Sequence, residues 1–525
     1  MRLQVLRADD VQQIHEATLE ILEHTGVCLG DSPEAVDLFG RAGCPIGPDR
    51  VRIPREVLAD CLQSLPDRNE LRICVTKLGF SQPLGLKQGE SHVGLIGNPY
   101  YFYDRQSGPR NLVESDADDK FLLLEALPNF QFDCCCHINA SQREAATVFP
   151  DYHKTEVCIE YLRRRLGRRA PRGAKPPAIH SNILHGRMSN SRIHSPRTLQ
   201  PLEKMELLRH AILHGPRQTE SLLSQDTPLV WCNPISPLQY HPEQVREIVQ
   251  AIREYGPSCY VMFSPEVMLG ATGPVTMAGA LAQHNAEVLS GVVLTQLCRP
   301  GTRAIYGSVS GVMDLRIMDI SLGSLESMWF NACVVQLADR YGLPSRVQSG
   351  NPSARRPGVR AAVETAWGLQ MALAAGANLV NTGLLDSTLT LSLDHLVLVD
   401  ELVSQIRGAM RAARTDAEHL ARDVIAQEGR PGTHYMDHPH TVDHMRQAVY
   451  YSDFTGRTAR SYEDWYDLAH QKVEARLRCG PDQASQEDKM AAQRLAAVEA
   501  RLKENDHEWR TGRDNWWMHY VQDFA

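Results

Sequence analysis

The chain has 525 residues, 43% of them apolar and 22% charged, with a formal charge of -8. These are ordinary globular proportions, sufficient for one large domain or two, and the negative balance argues against nucleic acid as a partner. No apolar run approaches the roughly 18 residues needed to span a bilayer, so no membrane partner is expected either.

The start, MRLQVLRADDVQQIHEATLEILEHTGV, is charged and amphipathic, unlike a signal peptide. Ile14, Leu19, Ile21 and Leu22 fit a helical stripe, 33–42 reads as a second short helix, and a third begins near Pro54. Residues 90–104 (ESHVGLIGNPYYFYD) have hairpin character, with Gly97-Asn98-Pro99 as the break. A helix from Glu114 to Leu127 and a strand FQFDCCCHINA follow. Residues 141–176 read as a polar excursion containing the basic run YLRRRLGRRAPRGAK, and PPAIHSNIL is a plausible next strand.

From Leu229 the pattern is regular. Apolar runs (LVWCNPISPL, SCYVMFSPEVMLG, RAIYGSVSGVMDLR, LPSRVQSGNPSAR, ANLVNTGLLDS) alternate with helix-like stretches ending near Tyr255, Cys298, Tyr341 and Ala375. Strands and helices alternating in this way imply right-handed βαβ units and a parallel sheet. The segment LSLDHLVLVDELVSQIRGAM reads as strand then helix, or mostly helix, and the charged remainder after about Thr415 is helical. The expected class is α/β: a TIM (β/α)8 barrel over 114–414, an α+β cap over 1–113, and a C-terminal helical extension over 415–525. Thirteen cysteines without regular spacing suggest reduced thiols and a cytoplasmic location.

In such a barrel the carboxyl ends of the strands form the active face. Asn233, Ser236, Ser308, Ser310, Gln348 and Asn381 follow apolar runs and are expected around one cavity. His137 and His180 end the first two expected strands, with Asn139 and Asn182 two residues on and therefore on the same strand face.

Long ordered blocks resemble the trimethylamine methyltransferase superfamily, which transfers a methyl group from a methylated amine to a corrinoid protein. They include LEILEHTGV, VRIPREVL, NPISPL, GATGPVTMAGALAQHNAEVLSGVVLTQLCRPG, YGSVSGVMDLR, LADRYGLPS, AAGANLVNTGLLDSTLTLSLDHLVLVDELVSQIRG, HPHT and SYEDWYDLA. No pyrrolysine occurs, so the chain is similar to the non-pyrrolysine branch, where quaternary amines such as glycine betaine are known substrates. Where many relatives have an Asp-Ala-Lys-like stretch, this chain reads Ser353-Ala354-Arg355-Arg356-Pro357.

The resemblance implies a betaine-like substrate and a corrinoid carried by a partner protein, with no tightly bound cofactor, no metal and a homo-oligomeric state. A quaternary ammonium group favours aromatic faces, so Tyr100, Trp231, Phe263 and Tyr306 become substrate-binding candidates. Arg316 and Arg346 could clamp a carboxylate, although Arg316 could instead pair with Asp314 or Glu326. Gln348 and Asn351 complete the substrate set. His137, His180, Asn233, Ser236, Gly273, Ser308 and Asn381 are candidates for the corrinoid side, Gly273 because the segment Gly270–Pro274 opens a helix. Glu287 reads as structural. Two alternatives stay open. One is zinc-dependent thiol methylation, invited by Cys134-Cys135-Cys136-His137: alternation puts Cys134 and Cys136 on one face and Cys135 with His137 on the other, with Cys232 as the third ligand. The other is a barrel that binds methylated amines without catalysis.

Overall fold

The computed structural model describes residues 2–135 except 31, 78–79, 98 and parts of 114–125, residues 229–478 except 453 and 455–463, and short pieces between 493 and 503. Three N-terminal helices, α1 (Ala8–Glu20), α2 (Pro33–Arg41) and α3 (Arg55–Gln63), precede a two-stranded antiparallel hairpin, β1 (Arg72–Lys77) and β2 (Phe80–Gly85). Then come β3 (His92–Gly97), β4 (Tyr101–Asp104), β5 (Gly108–Asn111) and β6 (Phe130–Cys135). After residue 228 the order is β7 (Leu229–Cys232), α4 (Pro242–Tyr255), β8 (Tyr260–Phe263), β9 (Met268–Leu269), α5 (Met277–Cys298) and β10 (Arg303–Ser308). It continues with β11 (Gly311–Asp314), β12 (Asp319–Ser321), α6 (Leu325–Arg340), β13 (Ser345–Gln348), α7 (Val359–Ala375), β14 (Leu379–Asn381), β15 (Thr390–Leu391) and α8 (Leu393–Ala409). Beyond α8 lie α9 (Ala417–Leu420), α10 (Arg422–Glu428), α11 (Pro439–Ala448) and α12 (Trp465–Arg478).

Seven strands form one parallel sheet in the order β6-β3-β14-β13-β10-β8-β7. The expected βαβ units are present from β7 to β14. Local sequence explains their helices. His241 caps α4, Pro242 occupies its first turn, and Gly256 ends it at φ +61°. Ser324 caps α6 and Ser392 caps α8, each accepting from a backbone N–H three residues on. Helix α5 is buried on nearly every side from Ala280 to Gln296. It lies between the sheet and the N-terminal helices, and a helix covered on both sides loses its polar stripe.

The two faces of the sheet are chemically distinct. Val230, Cys232, Val261, Phe263, Ala304, Tyr306, Val347 and Val380 pack into the large core on the helix side. Leu229, Trp231, Tyr260, Met262, Ile305, Leu379, Ile96 and Phe132 form a separate inner cluster with Leu71, Ile73, Leu84 and Leu86 of the β1–β2 segment. Tyr260 Oη donates to Arg72 O at 3.0 Å. The hairpin therefore covers the N-terminal end of the inner face and leaves function to the carboxyl end.

Two expectations change, and one left open between strand and helix resolves to mostly helix. Residues 90–104 do not form a hairpin: His92–Gly97 is a central strand, parallel to both β14 and β6. The sheet thus begins upstream of the expected boundary at residue 114. Packing is the physical reason: a Cβ at Gly97, the glycine of the expected break, would lie 2.6 Å from Leu384, and one at Gly94 would lie 2.1 Å from the Phe132 ring, so both glycines are kept by close packing within a strand. The segment beginning at Leu391 contributes no strand to the large sheet, since Thr390–Leu391 pairs with β4 and α8 starts at Leu393. The Gly270–Pro274 segment does not open its helix directly, because α5 begins at Met277 with Thr276 as its N-cap. The strand PPAIHSNIL, His137, Asn139, His180, Asn182 and the basic run lie outside the described residues, as does the closure between β6 and β7. No helix among the described residues is long and apolar enough to cross a membrane.

Candidate functional site

The carboxyl ends of β7, β8, β10 and β13 bring together an uncommon set of side chains. Trp231 and Arg346 are both buried, and the Arg346 guanidinium lies 4.6 Å from the centre of the indole ring. Arg346 Nη1 donates to Ser308 O at 2.8 Å. Trp231 Nε1 donates to Asn233 Oδ1 at 2.6 Å, which fixes the ring edge and aims its face at the cation. Alternation puts Gln348 on the same side of β13 as Arg346. Its side chain is 6% exposed and makes no hydrogen bond among the described residues.

Ser264 completes the group. It follows β8 with the same parity as Met262, is fully buried, and its Oγ has no hydrogen-bond partner among the described residues. Beside it, a Cβ at Gly307 would lie 2.0 Å from Ser264 Oγ and 2.7 Å from Phe263 O. The sequence reading missed both residues. The signal was present: Ser264 ends an apolar run, as Asn233 and Gln348 do.

Other candidates stand elsewhere. Phe263 and Tyr306 are buried on the helix side, so neither ring reaches the inner face. Phe263 packs edge-on to Tyr240 at 6.5 Å and against Gly291 of α5. Tyr306 Oη donates to Asn285 Oδ1 at 2.9 Å, and the ring stacks on Tyr341. Both strands are buried on both faces, so apolar residues occur at every position and period-2 patterning cannot tell inside from outside. Arg316 is not a clamp at the site. Its side chain is 87% exposed and forms a two-pronged pair with Asp314 in the β11–β12 turn, holding that carboxyl down at about 2. An exposed guanidinium gains most from the nearest carboxylate, and Asp314 is two residues away. Tyr100 is 38% exposed in the segment after β3, where its backbone bonds to Leu389 and Leu112.

The small polar candidates are mostly engaged in holding strand ends. Asn381 Oδ1 accepts from Ile96 N at 2.7 Å, pinning β3 to β14. Asn351 Oδ1 accepts from Leu384 N, and its Nδ2 donates to Asn381 O. Ser308 Oγ accepts from Ser310 N, and Ser310 Oγ accepts from Val267 N. Ser236 Oγ donates to Glu287 at 2.7 Å. Glu287 also accepts from Leu238 N and Gln283 Nε2, so this buried carboxylate fastens the segment after β7 to α5. Burial is the main cause that raises its pKa. Gly273 packs where a Cβ would strike Val267, and its backbone closes onto Gly270 and Met268. The segment 353–357 is anchored by Glu364, which accepts from Ser353 N, while Arg355 pairs with Asp319 and Asp386.

Cys232, invoked for a zinc site, lies on the helix side. Its Sγ donates to Gln244 Oε1, and burial pushes its thiol strongly upward, the opposite of what a thiolate ligand needs. Taken together, the inner face holds a guanidinium stacked on an indole ring, beside an amide and a hydroxyl that have no hydrogen bond among the described residues. That set suits a small molecule carrying both signs of charge.

The sequence matches the family model described as Trimethylamine methyltransferase (MTTB) over residues 1–141 and 191–487. It is 28% identical over 479 residues to the glycine betaine methyltransferase of Desulfitobacterium hafniense (strain Y51), covering 90% of each chain. It is also 28% identical over 495 residues to a trimethylamine methyltransferase of Methanosarcina barkeri, covering 91% of each. Among solved structures, the monomethylamine methyltransferase of Methanosarcina barkeri aligns with a TM-score of 0.44 at 10% identity, over 89% of this chain and 92% of that one. With most of its length inside the family match, the chain belongs to the trimethylamine methyltransferase family.

Proposed function

We propose that this protein transfers a methyl group from a quaternary, betaine-like amine to the Co(I) corrinoid of a separate protein. The observation that carries this reading is the buried Arg346 stacked over Trp231 at the carboxyl end of the inner face. A betaine has a carboxylate for a guanidinium and an ammonium for an aromatic face. The reading includes a closed (β/α)8 barrel and a cytoplasmic location.

The corrinoid, when docked, supplies the nucleophile. Ile235 after β7 is 44% exposed and Tyr101 after β3 is 42% exposed, apolar surface that the partner protein would cover. Gln348 and Ser264 have hydrogen-bonding capacity to offer from within. The chain's own residues bind and orient. Arg346 holds the carboxylate, the face of the Trp231 ring that Arg346 does not cover takes the cation, and the apolar surround of Met262, Ile305 and Ile96 removes water from the ammonium group. A quaternary nitrogen already carries the charge that its amine needs to depart as a neutral molecule, so no side chain has to deliver a proton.

The test is a panel of methylated amines incubated with reduced cobalamin and the full-length protein. Methylation by glycine betaine or a homologue supports the reading. Turnover of trimethylamine but of no quaternary amine would overturn it.

A further inference from the structure

A second cluster of metal-type side chains stands apart from the sheet, in the segment after α8. Helices α9, α10 and α11 contain no buried residue, so a hydrophobic core does not hold them together. What joins them is polar. His440 and His444, four apart on α11, lie on one face of that helix, with ring centres 4.5 Å apart. The His444 ring lies 5.0 Å from that of His419 on α9. Glu418 Oε1 is 3.3 Å from His444 Nε2, and the Glu418 backbone O is 3.2 Å from His440 Nε2. Asp416 Oδ1 is 2.7 Å from His419 Nδ1. Asp416, Glu418 and His419 already present ligand atoms within 4.8 Å of one another.

We propose that Glu418, His419, His440 and His444 form a binding site for a divalent transition-metal ion of the zinc class, with Asp416 orienting His419. Three arguments converge. Neutral imidazoles with one carboxylate are the donor set such ions prefer, and two histidines four apart on a helix can bind one ion together. In a tetrahedral site with bonds of about 2.0–2.1 Å, neighbouring ligand atoms are separated by about 3.3 Å. The Glu418–His444 separation has that value. The Asp416–His419 bond engages Nδ1, the outer-shell pairing of a metal-bound imidazole, and the His440–Glu418 bond engages Nε2, so each ring keeps its second nitrogen as a ligand atom. An ion here would cross-link α9 to α11, supplying the stability that packing does not.

The experiment is a titration of untagged, metal-stripped full-length protein with Zn2+ alone, followed by calorimetry and by metal content after dialysis. A parallel Co2+ titration is read by visible absorption, which reports coordination geometry. One equivalent bound, tetrahedral cobalt bands and slower proteolysis within residues 411–450 are expected. His444→Ala and His419→Ala should weaken binding at least tenfold, and Asp416→Asn about tenfold or more. His434→Ala, which removes an imidazole of the same segment that pairs with Asp437, should leave binding unchanged. None of these positions is buried, and circular dichroism confirms that each variant is folded. Absence of stoichiometric binding, or equal affinity in the His444, His419 and His434 variants, overturns the proposal.

Discussion

The guanidinium of Arg346 lies 4.6 Å from the centre of the Trp231 ring, although β8 and β10 separate their strands. Three strand spacings amount to roughly 14 Å along a sheet. The pair meets because both side chains project from the inner face of a curled sheet, and each fixes the other. Arg346 is also tied to the carbonyl of Ser308 on β10. This contact spans four strands and is the centre of the proposed substrate site.

Arg346→Ala is therefore expected to weaken binding of a carboxylated quaternary amine by roughly 2–5 kcal/mol, the range for breaking a buried charge pair. Tetramethylammonium, which has no carboxylate, should lose far less. Calorimetric titration of the same variant with both compounds makes the comparison, and equal losses would assign Arg346 a structural role alone.

Arg316→Ala should leave binding of both compounds unchanged. Its exposed side chain is occupied by Asp314, and an exposed pair of this kind contributes little. A loss confined to the carboxylated compound would show that the β11–β12 turn folds over the site.

These two arginines show what the sequence could and could not reveal. Chain order placed both in the apolar runs, and the alternation of strand and helix made the parallel sheet legible from β7 to β14. Burial was not legible. Arg346 sits within a strand with its neighbours buried, whereas Arg316 lies in a hairpin that the sequence joins to the same apolar run. The strands' apolar residues on both faces hid which aromatics point inward. Trp231 does, while Phe263 and Tyr306 face the helices. β3 was misread because Gly97, which with Asn98 and Pro99 signals a break in isolation, is selected by packing against Leu384.

Gly307→Ala tests the tight layer beneath the site. The new methyl would meet both Ser264 Oγ and the Phe263 carbonyl, so it cannot enter without moving strand β8. Overpacking of this kind costs about 1–3 kcal/mol. Urea denaturation should show the loss, and adding Ser264→Gly should restore part of it. Full restoration would mean that the carbonyl contact yields freely, and no restoration that the hydroxyl is not the obstacle.

The Glu287 carboxylate gives a pH-dependent prediction. Burial raises its pKa in the folded protein, so folding favours the protonated form. Its contribution to stability is fullest below the ordinary glutamate range, near pH 4, and falls as the pH rises through the raised value. Glu287→Gln removes that titration while keeping the bonds: its amide oxygen can accept from Leu238 N and Gln283 Nε2, and its NH2 can donate to Ser236 Oγ. The difference in unfolding free energy between this variant and the wild type should move in the variant's favour between pH 5 and pH 8 in urea melts. Glu287→Ala should behave differently, because it leaves the buried Leu238 N–H without an acceptor. That costs about 1–3 kcal/mol at any pH and frees the segment after β7 that carries Asn233. If the Gln variant and the wild type show parallel stability profiles across this range, Glu287 does not titrate there, and its role is confined to its three hydrogen bonds.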